Sequence, residues 1–503
     1  MDCTDSTELH GFGFEIRRWS SLWNNDFKHS ERRRIFNVSE LKRFAAAAVN
    51  QNVEDATSFE KLAEGGFNRT FLVTMRDGFQ FVGRIPYPIT EPRHLVVASE
   101  VATMDFLRSH CIPVSQVFSY SATSENAAGT EFIFMELIRG TNWGDIWFDL
   151  SAKARITAVT KLVELESRLF SLEFPASGSL YYAKDLQTES AKAEVPIVSS
   201  TNDSNFCIGP DTKLGLWHGK RVETQVDRGP YLDPVEALTA RAKKEIAYLT
   251  KFGQPLHPFQ RLRREIYNYK KQSPTGHLDS MDKYMRIAPY LIPDIPISSL
   301  NNVSVSDGLE ITGLIDWQHS AILPLFLQCG IPNSLQNYGD SVSESLTTPE
   351  LPANFDELND RKQFEQVVLL RRRQLHYFYV AMTAKLNPTH YDALAYDFSV
   401  LKRKLLDHAS CPWEGDNVTL KADRPGPSHV CASGEARASC PISFSEDEVT
   451  EYEQLQVCRD VFGIGPEGWV PLEQYEETRQ CEVKLKADAL EAAESEEERV
   501  KLS

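Results

Sequence analysis

The chain has 503 residues, 42% of them hydrophobic, 25% charged and 10% aromatic, with a formal net charge of −17 at pH 7. That length allows roughly two to four domains or one large two-part unit, and the composition is that of a globular protein with a sizeable core. The negative balance argues against a broad nucleic-acid or anionic-membrane surface, because the mean field repels both.

The nine cysteines, at positions 3, 111, 207, 329, 411, 431, 440, 458 and 481, are scattered and form no CxxC pair. This points away from structural zinc or a disulfide framework and toward a reducing compartment. The first residues, MDCTDSTELHGFGFEIRRWSS, are acidic ahead of the first arginines, and no apolar run has signal-peptide length. No stretch approaches the roughly 18 apolar residues of a membrane helix. A soluble, intracellular protein without a membrane span or a nucleic-acid partner is expected.

Residues 1–57 read as a mixed N-terminal extension in which Ser39 caps a helix over VSELKRFAAAAVNQ. From Ser58 the pattern becomes strand, Gly65-Gly66 turn, strand, Asp77-Gly78 turn, strand, and Asp-Gly between β-rich runs is a hairpin signal. Leu95, Ala98, Val101, Ala102 and Phe106 then recur at helical spacing. VSQVFSYSAT and TEFIFMELIRG supply two further strands, so residues 58–139 form a small α+β lobe of five strands and one helix. Residues 140–412 are expected to be a mostly helical lobe, with helices in SAKARITAVTKLVELESRLFSLEF and DPVEALTARAKKEIAYLTKF. Polar loops are expected over 185–205 and 333–361. Residues 413–440 resemble a linker, and 441–503 read as a charged helical segment.

Taken singly, the chemistry-bearing residues are ambiguous. Gly65 and Gly66 either let backbone N–H groups approach a phosphate or make an ordinary hairpin turn. Arg84 ends the third strand, where it forks onto phosphate oxygens with Glu100 as its brace, or both are unrelated surface charges. The Glu136–Ile138 backbone meets an adenine edge or belongs to a plain edge strand. Asp316 closes the apolar run LEITGLIDW, where a carboxylate calls for a cation, a donor set or an N-cap role. Their order carries more than any member. A Gly-rich turn, a basic strand end, a helix Glu, a hinge strand, an Asp–loop–Asn and a strand-end Asp are the parts of kinase-style phosphoryl transfer.

The segments KLAEGGFNRTFLVTM, RIPYP, ASEVATMDFLRSH, YSATSENAAGTEFIFMEL, FCIGP, DRGPY, GLIDWQHS and CPISFSEDE resemble the aminoglycoside phosphotransferase family of the protein-kinase-like fold. The resemblance is closest to its fungal group containing altered inheritance of mitochondria protein 9, and it spans residues 55–330 best. It implies a two-lobed fold that binds ATP and Mg²⁺ and phosphorylates a small-molecule hydroxyl acceptor. It implies that Arg84 stands where most kinases have Lys, that Glu100 pairs with it, and that Asp316 is a metal ligand. It also places the protein in the mitochondrion as an alternative to the cytoplasm. FCIGP (206–210) and DRGPY (227–231) read as Gly-Pro turns that fix packing.

One segment departs from the family pattern. The catalytic loop resembles H-x-D-x-x-x-x-N, but here Ile292-Pro293-Asp294 lacks the His, and Asn302 stands eight residues beyond Asp294. A loop longer by about three residues costs only a few tenths of a kcal/mol in closure entropy. A misplacement of about 1 Å, by contrast, costs roughly 100-fold in rate. Three readings follow. The insertion bulges out and leaves Asp294 as base and Asn302 as metal ligand; the loop has degenerated and the chain is a nucleotide-binding pseudokinase; or a splice junction is wrongly joined across this segment.

Overall fold

The computed structural model describes residues 34–140, 150–186, 194–197, 205–258, 269–292, 313–332, 334–396 and 399–413, with residues 264, 267, 415, 417 and 420 besides. These fall into two compact units. One draws on Met1–Val222, Arg228–Ala237 and Asp294–Tyr396, the other on Glu223–Asp227, Leu238–Pro293 and Asp397–Ser503.

The first unit opens on α1 (Val38–Ala48). Its N-cap is Asn37, whose side chain accepts from the Glu40 N–H at 3.2 Å, so Ser39 lies inside the helix and not at its cap. The hairpin signals give β1 (Ala56–Glu64), β2 (Asn68–Met75) and β3 (Gln80–Pro86). After α2 (Arg93–Ser109) come β4 (Val117–Ser121) and β5 (Phe132–Glu136). The five strands form one antiparallel sheet in the order β1-β2-β3-β5-β4, which places β5 inside the sheet and not at its edge.

The pleat of β5 shows how both faces are covered. Phe132 and Phe134 join Leu41 and Ala45 of α1 in one apolar cluster. Ile133, one residue out of phase, joins Val97 and Val101 of α2 in another. The five apolar positions read from the α2 spacing, Leu95, Ala98, Val101, Ala102 and Phe106, are all buried.

Next come α3 (Ala152–Phe170) and an antiparallel sheet of β6 (Ser179–Tyr182), β7 (Val195–Pro196) and β8 (Phe206–Gly209), ordered β6-β8-β7. Part of the 185–205 stretch expected to be loop is thus strand β7. Its Val195 and Pro196 pair with Ile208 and Cys207, a partnership that a two-residue strand cannot announce in its own sequence. The later helices of eight or more residues are α4 (Pro234–Phe252), α5 (Pro274–Ile287), α6 (Asp360–Leu386), α7 (Pro388–Ala395) and α8 (Ser399–Ser410). The α2 cluster also takes in Leu165 of α3, Ile208 of β8 and Leu314 with Trp317, so one core ties the five-stranded sheet to the segment that bears Asp316. The described residues of this unit thus make an α+β fold.

In the second unit α5 is capped by Ser273, whose side chain accepts from Thr275 N–H. Lys244 and Glu245 are fully buried, with Lys244 Nζ 2.9 Å from Glu245 Oε2 and the other carboxylate oxygen accepting from Trp413 N–H at 2.8 Å. Among the described residues no helix is long and apolar enough to cross a membrane. The segment 441–503 lies outside the described residues, as does nearly all of 413–440.

One buried acid gives this fold a pH dependence. Glu166 on α3 accepts from the Tyr379 hydroxyl of α6 at 2.8 Å. Burial pushes its carboxyl up to about 8, against the downward pull of that hydrogen bond. The folded state therefore holds a proton that the unfolded chain releases near pH 4.5. The resulting stabilisation is complete below that pH and is lost as pH rises toward 8. Between pH 5 and 8, wild type is expected to lose on the order of a few kcal/mol relative to Glu166→Gln. Parallel urea-unfolding profiles for the two proteins would refute this.

Candidate functional site

Arg84, in the centre of the five-stranded sheet, is the hub. Its register neighbours are Thr70 on β2 and Ile133 on β5. Its side chain leaves the sheet on the α2 face, where Nη1 pairs with Glu100 Oε1. Glu100 is 3% exposed and Arg84 11%, so they are a buried pair and not unrelated surface charges. Burial raises the Glu100 carboxyl above its ordinary value; the Arg84 guanidinium pulls it down and the Asp316 charge adds to the rise.

The other side of the same guanidinium meets the 313–320 segment. Arg84 Nη2 lies 2.8 Å from Asp316 Oδ1 and 3.3 Å from Gln318 Oε1. Asn68, at the start of β2, donates its amide Nδ2 to the same Gln318 Oε1 at 2.5 Å. The LEITGLIDW run is not a full strand where it is described, since Leu314 makes an isolated parallel bridge with Val114. The Asp316 side chain is 70% exposed, so its environment imposes no burial cost, contrary to the expectation for a strand-end acid. Its backbone is left-handed at φ 68°, as is that of His319 at φ 60°. Such conformations cost an L-residue about 1–2 kcal/mol and persist where surroundings hold them. The fully buried Trp317 anchors the turn between them.

The Gly65-Gly66 turn reaches the same place. Gly65 N–H closes the β1–β2 hairpin onto Asn68 O at 2.9 Å. Phe67 meets the His319 ring edge-on, with centroids 5.6 Å apart. The turn is pinned from behind: Phe67 O accepts from Tyr87 N–H and Thr90 Oγ1, and Glu64 accepts from Lys61, Tyr87 and Arg69. Although burial opposes it, these hydrogen bonds hold the Glu64 carboxyl down at about 2. Neither glycine has a positive φ, and a Cβ on Gly66 would meet nothing within 4 Å. The hairpin itself therefore does not require glycine at position 66.

At the end of β5, Glu136 N–H donates to Gln116 O at 2.8 Å, and its carboxylate accepts from Gln116 N–H and Arg108. Ile138 packs against the bare face of Gly313. Arg84, Glu100, Asp316 and the Gly65-Gly66 turn thus come together, with Ile138 beside Gly313. Asp294 and Asn302 lie outside the described residues. Among the described residues no cluster of three or more His, Cys, Asp or Glu side chains forms a metal-binding group.

No family model matches the chain. A subtelomeric hrmA-associated cluster protein of Aspergillus fumigatus is 33% identical over 429 residues, covering 77% of this chain and 82% of that protein. Altered inheritance of mitochondria protein 9, mitochondrial, of Yarrowia lipolytica is 25% identical over 398 residues, covering 70% and 65%. The chain belongs to the family of the subtelomeric hrmA-associated cluster protein. Among solved structures, the streptomycin–ATP ternary complex of APH(2″)-IIa shares 13% identity and covers 76% of this chain and 93% of its own, at a TM-score of 0.36.

Two of the segments that carried the sequence resemblance, FCIGP and DRGPY, pack around the Asp316 turn. FCIGP forms β8 and leads into Asp211-Thr212, and DRGPY pairs with it through Asp211 N–H to Arg228 O at 2.7 Å. Tyr231 of DRGPY exchanges both backbone hydrogen bonds with Ser177. Gly178, at φ 151°, sits so close to the Gly209 carbonyl that a Cβ would overlap it, and this lets β6 and β8 converge. From that junction Ser179 Oγ donates to Ser320 O at 2.7 Å, Gly178 and Ile322 exchange backbone bonds, and Thr212 O lies 2.6 Å from His319 Nδ1. Sequence reasoning passed over Asn68, Gln318, His319, Ser179 and Thr212. The family segments FNRTF, IDWQHS and FCIGP, which hold or adjoin four of the five, were the available signal.

Proposed function

We propose that the chain is an ATP- and Mg²⁺-dependent phosphotransferase that moves a γ-phosphate to a hydroxyl of a small molecule. The observation that carries this reading is Arg84 held between a buried Glu100 and an exposed Asp316, beneath a glycine turn whose Gly66 has no conformational need to be glycine. Arg84, braced by Glu100, holds nucleotide phosphates, and it does so by giving up Asp316. The Gly65-Gly66 turn caps those phosphates, with Gly66 offering its N–H while the Gly65 N–H keeps the hairpin closed onto Asn68 O. The backbone of Glu136 and Ile138 meets the adenine edge. Asp294 orients the acceptor hydroxyl and takes its proton.

A single exposed carboxylate fits Mg²⁺, which binds through one or two carboxylates plus phosphates and retained waters. Asp316 and Asn302 are the residues that would hold it. When bound, the cation neutralises charge on the transferring phosphates.

The test is thermal stability with and without Mg-ATP, followed by γ-phosphate loss in the presence of a panel of hydroxyl compounds. At a ligand concentration about 100 times its Kd, stabilisation of about 2.7 kcal/mol is expected. No nucleotide-dependent shift would sink the assignment. The departure at Ile292-Pro293-Asp294 and the wide Asp294–Asn302 spacing favour a second reading, a nucleotide-binding pseudokinase with a regulatory or scaffolding role. Stabilisation without turnover would select it.

A further inference from the structure

Asp316 and His319 both adopt left-handed backbone within one four-residue turn, and neither is glycine. Something must hold them there. The turn's own bonds are Ser320 N–H and Ser320 Oγ to Trp317 O, at 3.2 and 2.6 Å. Beside the contacts of Asp316 and Gln318 with Arg84 and of His319 with Phe67, restraints come from β6 and the residues after β8. Ser179 Oγ donates to Ser320 O and accepts from Thr212 N–H at 3.0 Å. The Thr212 carbonyl can only accept, so the His319 Nδ1 at 2.6 Å carries the proton. Its Nε2 is buried and has no hydrogen-bond partner among the described residues, which agrees with an unprotonated nitrogen.

We propose that Ser179, Thr212 and His319 form a clasp that fixes the turn and thereby aims the Asp316 carboxylate. The role follows from connectivity. The clasp ties the last residues of the turn to the second sheet, while Trp317 in the core ties its middle. Asp316, at the head of the turn, is 70% exposed and faces Arg84. The FCIGP segment, with the Thr212 that follows it, becomes the support of the site. These are positioning residues and touch no substrate themselves. The proposal rests on the reading of Asp316 as the cation-binding acid, and the experiment separates the two.

ADP is titrated calorimetrically with Mg²⁺ and with EDTA, using the full chain as wild type, His319→Leu, His319→Asn, Ser179→Ala and Asp316→Asn. Loss of the clasp is expected to weaken the Mg²⁺-dependent part of binding by about 10–100-fold, as for other residues that orient a metal ligand, with metal-free ADP binding unchanged. His319→Asn tolerates left-handed backbone and can donate to Thr212 O, so it should restore much of the loss. Ser179→Ala should act in the same direction and serves if His319→Leu fails to fold. If His319→Leu and Ser179→Ala keep the full Mg²⁺ effect while Asp316→Asn loses it, the clasp is wrong and the site reading stands. If Asp316→Asn has no effect in a chain that binds Mg-ADP, the site reading fails. The clasp is then judged by ¹⁵N-histidine NMR of the unliganded chain. An Nδ1–H tautomer for the resonance missing in His319→Asn supports it, and an Nε2–H tautomer overturns it.

Discussion

Asp316→Asn is expected to cut phosphoryl transfer by about 10²–10³-fold and to remove the Mg²⁺-dependent part of nucleotide binding, with almost no change in the stability of the unliganded protein. The two halves of this expectation have separate causes. Stability is spared because the Asp316 side chain is 70% exposed, and an ion pair so solvated is worth at most about 1 kcal/mol. Asparagine also accepts the left-handed φ of 68°, which alanine does not, so backbone strain is held constant. Function is lost because the charge itself is what a cation would use. Fluorescent-nucleotide titration with and without Mg²⁺, paired with urea unfolding, reads both halves. Nucleotide binding with a wild-type Mg²⁺ response would remove Asp316 from the site.

Glu100→Ala has the opposite profile. Arg84 is 11% exposed and its partner 3%, so the substitution strands a buried guanidinium. Breaking such a pair from one side costs about 3–5 kcal/mol. The same arginine thus has one partner whose removal is cheap for the fold and one whose removal is severe, and burial decides which. A cycle through Glu100→Ala, Arg84→Met and the double variant isolates the interaction. The double variant should recover most of the loss, because the only charge it deprives of a partner there is the exposed Asp316 and no buried charge is left unpaired. A loss below about 1 kcal/mol for Glu100→Ala alone would mean that water reaches the pair and that the buried brace does not exist.

The sheet, α2 and the two turns were legible because each is encoded at short range. Alternation of side chains sets a strand, spacing of three and four sets the α2 face, and Asp77-Gly78 sets a hairpin. Leu95, Ala98, Val101, Ala102 and Phe106 needed no distant partner to be recognised as one buried face. Strand β7 was not legible, because two residues carry no period and its identity lies in its pairing with β8. Asn37 displaced Ser39 as the cap for a related reason: the two differ by two residues, and the geometry of chain entry chooses between them.

The sequence by itself determined the α+β class, the family resemblance and the order of the chemistry-bearing residues. It also marked the Asp294–Asn302 spacing as a departure. The Arg84–Glu100 pair was expected from the resemblance, but only the tertiary structure decided that the same guanidinium also meets Asp316. Arg84 and Asp316 stand 232 positions apart, and nothing local to either predicts that one guanidinium joins Glu100 and Asp316. It also decided that Asp316 is exposed where an apolar run suggests burial, and that FCIGP supports the Asp316 turn. The physical reason is one of range. Periodicity reports which side of an element faces the core, whereas hydrogen bonds and ion pairs depend on where the packed core brings remote backbones together.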